Sequence, residues 1–314
     1  MRFRFGARDR WFDGFVARDA ADALRFERIP AQEASARALR PPHTNLGVGR
    51  RRFELIAQRL RPAIAAGASV ADVGAYPGTT MRLVRALPGG RQTRLAAVGF
   101  SFDDDFRVAV SRLGAELVEA EFDVRALPVG VPHLLDVRGE GEWDVVVCSE
   151  VIEHTLQPLA LLLGCRRLLR PGGELLLTTN SASFVGDLLK LASGRHNVEA
   201  LDRSHILVDH EWRPHMRLYL LPELRELLAR CGLSALEAFY FDNGNVYTGA
   251  KGAATGLIRC VAAGVPRLRS HVFVRAVAAA EPQSVALRRT ADSFRQFGLP
   301  LPRSIASSLT EGRV

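Results

Sequence analysis

The segment Val70-Ala-Asp-Val-Gly-Ala-Tyr-Pro-Gly78 carries the sharpest chemical signal in the chain. A short apolar run, Ser69–Gly74, leads into it and a helical pattern, Thr79–Leu87, leads away, which is the context in which a glycine-rich turn holds a ligand. Gly74 lets the backbone turn sharply and come close to a ligand. Gly78 lets the next helix pack tightly, and that helix start presents unpaired N–H groups. Asp72, near the strand end, can accept from a ligand amine or orient the loop. The pattern reads D-x-G-x-x-x-G. Tyr76 stands where a second dinucleotide glycine would sit, and no Gly-Lys-Ser/Thr follows, so nicotinamide and flavin chemistry are disfavoured and a P-loop is excluded. An ordinary βα turn is the competing reading.

Four histidines, His154, His205, His210 and His215, offer a base near neutral pH. The last three recur every five residues, with Asp209 and Glu211 between them. That is not the three- or four-residue helical spacing of metal ligands, and no metal site is expected. Cys148, Cys165, Cys231 and Cys260 form no CxxC pair and read as small buried hydrophobes.

These groups need elements to position them. Arg50–Ala66 is helical in pattern, with Phe53, Ile56, Ala57 and Leu60 on one face, and Pro62 interrupts its last turn. Strands are expected at Ser69–Gly74, Arg94–Gly99, Ala115–Phe122, Trp143–Cys148 and Glu174–Thr179. Helices are expected at Thr79–Leu87, Asp104–Leu113 and Leu159–Leu169. Continuous apolar runs spaced by helices specify a parallel, doubly wound α/β sheet covered on both faces. Beyond it lie helices around Phe184–Leu191 and at Pro222–Cys231. Two further strands, Ala235–Phe241 and His271–Val277, would form an antiparallel edge.

The chain has 314 residues, 47% hydrophobic and 24% charged, which fits a globular protein with an ample core. No apolar run approaches the roughly 18 residues of a membrane span, and residues 1–14 lack a signal-peptide stretch, so a cytoplasmic protein is expected. Net charge is +8, with +7 on residues 1–62, +7 on 251–314 and −6 between them. Forty of the 42 basic residues are Arg, which fits genome composition at least as well as a phosphate-binding surface. Arg50-Arg51-Arg52 reads as a solvated helix start. The expected organisation is an Arg-rich helical extension (1–49, with a helix at Ala31–Leu39), a central domain (50–280) with an insertion (181–220), and a basic, poorly ordered tail (281–314).

Four blocks, taken together, resemble the class I S-adenosylmethionine-dependent methyltransferases. Asp72-Val-Gly-Ala-Tyr-Pro-Gly78 is similar to their first motif. Trp143-Asp-Val-Val-Val-Cys-Ser-Glu-Val-Ile-Glu-His154 resembles the fourth-strand motif of the small-molecule branch. Leu169-Arg-Pro-Gly-Gly-Glu-Leu-Leu-Leu-Thr-Thr-Asn180 resembles the turn and fifth strand that follow. His215-Met-Arg-Leu-Tyr219 with Leu221-Pro-Glu-Leu-Arg-Glu-Leu-Leu resembles a segment of the same branch. The resemblance covers about residues 50–245 and implies a seven-stranded Rossmann-like sheet.

It also implies roles. Gly74, Ala75 and Gly78 would form the loop beside the methionine part of the cofactor, with Asp72 near its amino group. Asp123 would meet the adenine amino group, with Phe122 beside it. Cys148, Ser149 and Glu150 would line the cofactor, and His154, His210 or His215 would supply the base. One position departs: the acidic residue that holds the ribose hydroxyls in this family would fall near Phe100. Asp103 and Asp104, with Asp105, either reach the ribose instead or form the N-cap of the next helix. The implied activity is methyl transfer from S-adenosyl-L-methionine to an oxygen or nitrogen of a small molecule, with sugar or secondary-metabolite hydroxyls as first guess. An inactive binding module and an RNA methyltransferase are the alternatives. No Asn/Asp-Pro-Pro-Tyr, no Pro-Cys pair and few interleaved aromatics disfavour nucleic acid as acceptor.

Overall fold

The computed structural model describes residues 11–16, 49–100, 102–123, 131–137, 141–195, 215–243 and 260–279, with single positions at 256, 258, 288, 291, 292 and 295. The expected Ala31–Leu39 helix lies outside the described residues, as do His205 and His210 and nearly all of the tail from 281.

The described elements include helices α1 (residues 11–16), α2 (Arg50–Ala65), α3 (Thr79–Ala86), α4 (Asp104–Arg112), α5 (Pro158–Leu168), α6 (Val185–Ala192) and α7 (Leu221–Arg230), and seven strands. The strands are β1 (Val70–Val73), β2 (Leu95–Gly99), β3 (Glu116–Glu119), β4 (Trp143–Ser149), β5 (Leu169–Asn180), β6 (Leu233–Phe241) and β7 (His271–Ala278). They form one sheet in the order β3-β2-β1-β4-β5-β7-β6. Its first five strands are parallel, and β7 runs antiparallel between β5 and β6. This is the doubly wound sheet that the apolar runs specify, with strand order reversing at β1 and β4.

Alternate residues of the central strands feed two core layers. Val146 and Cys148 of β4 pack with α5 on one face, and Val145 and Val147 pack with α2 and α3 on the other. Burial on both faces explains why β1, β2 and β4 read as unbroken apolar runs rather than as alternation. Phe12 and Phe15 of α1 are buried in the second layer, beside Phe53, Ile56 and Leu60 of α2.

Helix α2 nearly matches its expected span, ending at Ala65, and Pro62 does not break it, because Ile64 beyond it is buried in the core and the Pro62 carbonyl still accepts from the Ala66 N–H. Strands β3 and β5 depart further from expectation. Strand β3 is shorter than Ala115–Phe122: beyond Glu119 the chain leaves the ladder, and Glu121 pairs instead with His133. Strand β5 begins at Leu169 rather than Glu174. Its Gly173 lies so close to β4 that a Cβ there would stand 2.9 Å from the Trp143 carbonyl oxygen.

Candidate functional site

The site is built at the C-terminal edge of the parallel strands, beside the point where strand order reverses. Gly74 leaves β1 at φ +77°, and its N–H donates to the Val98 carbonyl of β2 at 2.8 Å. A Cβ at Gly74 would lie 2.3 Å from Val151 Cγ2, so the turn runs directly under the segment that follows β4. Gly78, at φ +86°, caps α3, whose first-turn residues Thr79 and Thr80 are buried. Asp72 is buried beneath this turn. Burial pushes its carboxyl up to about 8, although a hydrogen bond from Thr80 and the charge of Arg52 pull the other way.

β4 delivers the next groups. Glu150 sits at φ +57°, a left-handed conformation that costs a non-glycine residue free energy. Four side chains from three elements hold its carboxylate: Thr178 (2.9 Å) and Asn180 (3.4 Å) of β5, His271 of β7 (3.2 Å) and Arg52 of α2 (3.4 Å). Burial would raise the Glu150 carboxyl, but the His271 imidazole, the Arg52 guanidinium and the bonds from His271 and Thr178 hold it well below the usual carboxylate range. The Ser149 hydroxyl lies 2.9 Å from that of Thr178.

Glu153 is fully buried three residues on. Its carboxyl accepts from Thr179 (2.8 Å) and Asn180 (3.1 Å). Burial first, and then the charge of Glu150, push it up to about 8. Its backbone carbonyl accepts from the Met216 N–H at 2.7 Å, which brings the 215–219 segment onto the end of β4. The rings of His154 and His215, both half-buried, thereby stand 4.7 Å apart at 54°. His215 Nε2 lies 3.4 Å from Asn180 Nδ2. Glu153, His154 and His215 each offer a ligand atom, all within 4.8 Å of one another, so this is where a cation would find donors. The expectation of no metal rested on spacing along the chain, which is blind to His154 meeting His215 through space.

The other expected positions are placed as follows. Cys148 is buried on β4, its thiol pushed well up by a hydrogen bond with Cys165 and by burial. Phe100, at the end of β2, meets Phe122 edge-on at 5.5 Å. Asp103 caps α4, accepting from the Phe106 N–H at 2.7 Å, and Asp104 and Asp105 follow in the first turn. Asp123 is buried and accepts from the N–H groups of Leu156 (2.9 Å) and Gln157 (2.9 Å), fixing the loop that follows His154.

The Arg50-Arg51-Arg52 start is only partly solvated. Arg52 is buried, with its N–H on Asn243 and its guanidinium reaching Glu150. The signal was available, since Arg52 lies four residues before Ile56 and so shares the apolar face of α2. His271 carried no such signal, because its role depends on β7 inserting next to β5, whereas Thr178 and Asn180 reach Glu150 because β5 runs parallel beside β4.

A family model described as a methyltransferase domain matches residues 48–238, more than half of the chain. The ubiquinone biosynthesis O-methyltransferase of Roseobacter denitrificans is 30% identical over 144 residues, covering 41% of this chain and 55% of that protein. Its counterpart in Xanthomonas axonopodis pv. citri is 34% identical over 130 residues, covering 41% and 48%. The chain thus spans about half the length of these relatives. Among solved structures, Burkholderia thailandensis 1,6-didemethyltoxoflavin-N1-methyltransferase, with bound 1,6-didemethyltoxoflavin and S-adenosylhomocysteine, superposes with TM-score 0.46 at 16% identity over 88% of this chain and 93% of that one. Geranyl diphosphate methyltransferase in complex with SAM gives 0.44 at 15%, over 72% and 85%. The matched region runs from the start of α2 into β6 and so includes the Gly74 turn, the Glu150–His154 segment and His215: the chain belongs to the methyltransferase-domain family.

Proposed function

We propose that the protein transfers a methyl group from S-adenosylmethionine to an oxygen or nitrogen of a small molecule, with sugar or secondary-metabolite hydroxyls as the first class to screen. The observation that carries this reading is the packing of the Gly74 turn against Val151, in the segment that leads to His154 and its neighbour His215, in a chain of this family. The O-methyltransferase relatives favour oxygen as acceptor.

The residues fit an amino-acid-bearing nucleoside. The Gly74 turn has no room for a side chain of its own against Val151, and it exposes backbone beside the Asp72 carboxyl. In this reading Asp72, Gly74, Ala75 and Gly78 hold the methionine part, with Cys148, Ser149 and Glu150 as the wall beyond. When bound, the sulfonium supplies a methyl carbon that is already electrophilic. The chain must then align the acceptor and take its proton. His154 and His215 are placed for that, because both imidazoles are half-buried at the site edge and Asn180 orients His215. Glu153 lies close by, with its carboxyl pushed up to about 8 by burial and by the charge of Glu150, so near neutral pH it is mostly protonated.

Calorimetric titration with S-adenosylhomocysteine tests the reading. Saturable one-site binding is expected for the wild type and is lost in Asp72→Ala. A folded wild-type protein that binds neither S-adenosylhomocysteine nor S-adenosylmethionine overturns it and favours an inactive module.

A further inference from the structure

Glu153 and His154 belong to one short turn, and His215 is tied to it. The 3₁₀ turn Ile152–His154 leaves β4 with the His154 N–H on the Val151 carbonyl at 2.9 Å and the Thr155 hydroxyl on the Ile152 carbonyl at 2.9 Å. The Glu153 carbonyl accepts from the N–H groups of Met216 (2.7 Å) and Arg217 (3.3 Å), which sets His215 beside His154. Ligand atoms of the three side chains thereby lie within 4.8 Å of one another.

The spot is rich in acceptors. Asn180 Nδ2 faces Glu153 Oε1 (3.1 Å), His215 Nε2 (3.4 Å) and Glu150 Oε2 (3.4 Å), so two amide hydrogens serve three acceptor atoms. Arg52 and His271 are directed at Glu150. Thr179 donates to Glu153 Oε2 at 2.8 Å, the kind of hydrogen bond that orients a carboxylate toward a metal. Two imidazoles and one carboxylate suit a first-row divalent ion such as Zn²⁺, whereas Mg²⁺ and Ca²⁺ prefer oxygen throughout. Bonds of about 2.0–2.2 Å place donor atoms about 3–3.5 Å apart, so the side chains must close by up to about 1.5 Å. His154 and His215 are only half-buried, so their rings can turn that far without disturbing the core.

We propose that Glu153, His154 and His215 bind one first-row divalent metal ion, Zn²⁺ or a near relative, with a coordination position left open for an oxygen of the acceptor. Three protein ligands and an open position are the pattern of a catalytic rather than a structural site. This inference goes beyond the methyl-transfer reading and is tested without the cofactor. In the metal-free protein the imidazoles remain the bases. With the ion bound, their ligating nitrogens are occupied, and an acceptor hydroxyl at the open position loses its proton to solvent instead.

The test is calorimetric titration of the full chain, free of any affinity tag and stripped with chelator, against Zn²⁺ and separately against Mg²⁺. The wild type is expected to bind Zn²⁺ saturably with a dissociation constant of about 10 μM or tighter, with a rise in Tm, and to bind Mg²⁺ far more weakly. Weaker Zn²⁺ binding, or Mg²⁺ binding of equal strength, overturns the proposal. His154→Ala, His215→Ala and Glu153→Gln each weaken Zn²⁺ by about tenfold or more, and a cooperative melt of each variant shows that it is folded. Any folded variant of the three that binds as the wild type does overturns it. Cys260→Ser, which removes the exposed thiol, leaves the affinity unchanged; a tenfold loss there places the ion on a thiolate and refutes the assignment. Co²⁺ bound to the wild type gives an independent reading. Visible d–d bands without a thiolate charge-transfer band are expected, and a thiolate band overturns the donor set.

Discussion

Gly74→Ala tests the packing of the site most directly, because two separable costs meet at one atom. The residue adopts φ +77°, which an alanine reaches only at about 1–2 kcal/mol. The new Cβ would stand 2.3 Å from Val151 Cγ2, so Val151 or the turn must move. Overpacking of this kind costs about 1–3 kcal/mol. The sum is about 2–5 kcal/mol, or a Tm drop on the order of 3–8 °C for a chain of this size. Val151→Ala alone removes two largely buried methyl groups and costs about 1.5 kcal/mol. In the double variant the clash disappears and the backbone cost remains. Urea or thermal unfolding of the cycle is therefore expected to show the double variant about 1–3 kcal/mol more stable than the two single losses added together. Binding of S-adenosylhomocysteine is expected to fall at least tenfold in Gly74→Ala and to recover partly in the double variant. Additivity within about 0.5 kcal/mol would refute the argument, since it would mean that Gly74 and Val151 do not touch.

Three other outcomes are expected. Asp72 and Glu153 each have a folded carboxyl raised to about 8, from ordinary values of 3.8 and 4.5, so the folded state holds protons that the unfolded state has released. Their contribution to stability is complete below pH 4 and is lost as pH rises toward 8. Thermal melts should show Tm falling over that window, and Asp72→Asn and Glu153→Gln should each flatten the slope. Glu150 is shifted the other way, so its contribution is present above pH 4.5 and is lost in acid, outside that window. Arg52→Met removes the guanidinium facing the buried Glu150, a loss of about 3–5 kcal/mol in denaturant unfolding, and adding Glu150→Gln should restore part of it. His215→Ala should lower kcat by about 10²–10⁴, measured as S-adenosylhomocysteine release with an acceptor found by screening, while S-adenosylhomocysteine binds as before. A parallel loss of that binding would make His215 a cofactor-site residue rather than a base.

The fold was legible in the sequence to the extent that local pattern determined it. The apolar runs at Val70–Val73, Leu95–Gly99 and Trp143–Ser149 could be buried only in a sheet covered on both faces, and that settles the doubly wound architecture. Boundaries slipped where a tertiary contact outweighed a local signal. The close approach of Gly173 to β4 extends β5 through a segment that reads as a turn. The Gly74 turn and the Glu150–His154 segment were legible because each is a contiguous block. Arg52 was hidden by composition: among 40 arginines, a triplet at a helix start reads as solvated, although the α2 face already placed the third of them inward. His271 was out of reach, since it joins Glu150 only because β7 lies antiparallel beside β5.

The charges of the site follow from the same topology. Asp72, Glu150 and Glu153 come from β1 and from the end of β4, and the sheet brings all three within the influence of one buried cation, Arg52. One guanidinium cannot offset three buried carboxylates in a medium that solvates charge poorly. Glu150 has the direct contact and the His271 partner, so it keeps its charge, while Asp72 and Glu153 hold protons up to about pH 8. At neutral pH the interior of the site therefore carries one carboxylate facing Arg52 and His271, beside two acids that are mostly neutral. A ligand ammonium group placed over Asp72 would draw that proton off, since a positive charge within hydrogen-bonding reach favours the ionised carboxylate. Binding of S-adenosylhomocysteine below pH 8 should then release a proton, seen as a binding enthalpy that varies with the ionisation enthalpy of the buffer, and the release should vanish in Asp72→Asn. Buffer-independent enthalpy in the wild type would mean that Asp72 does not face the ligand's amino group.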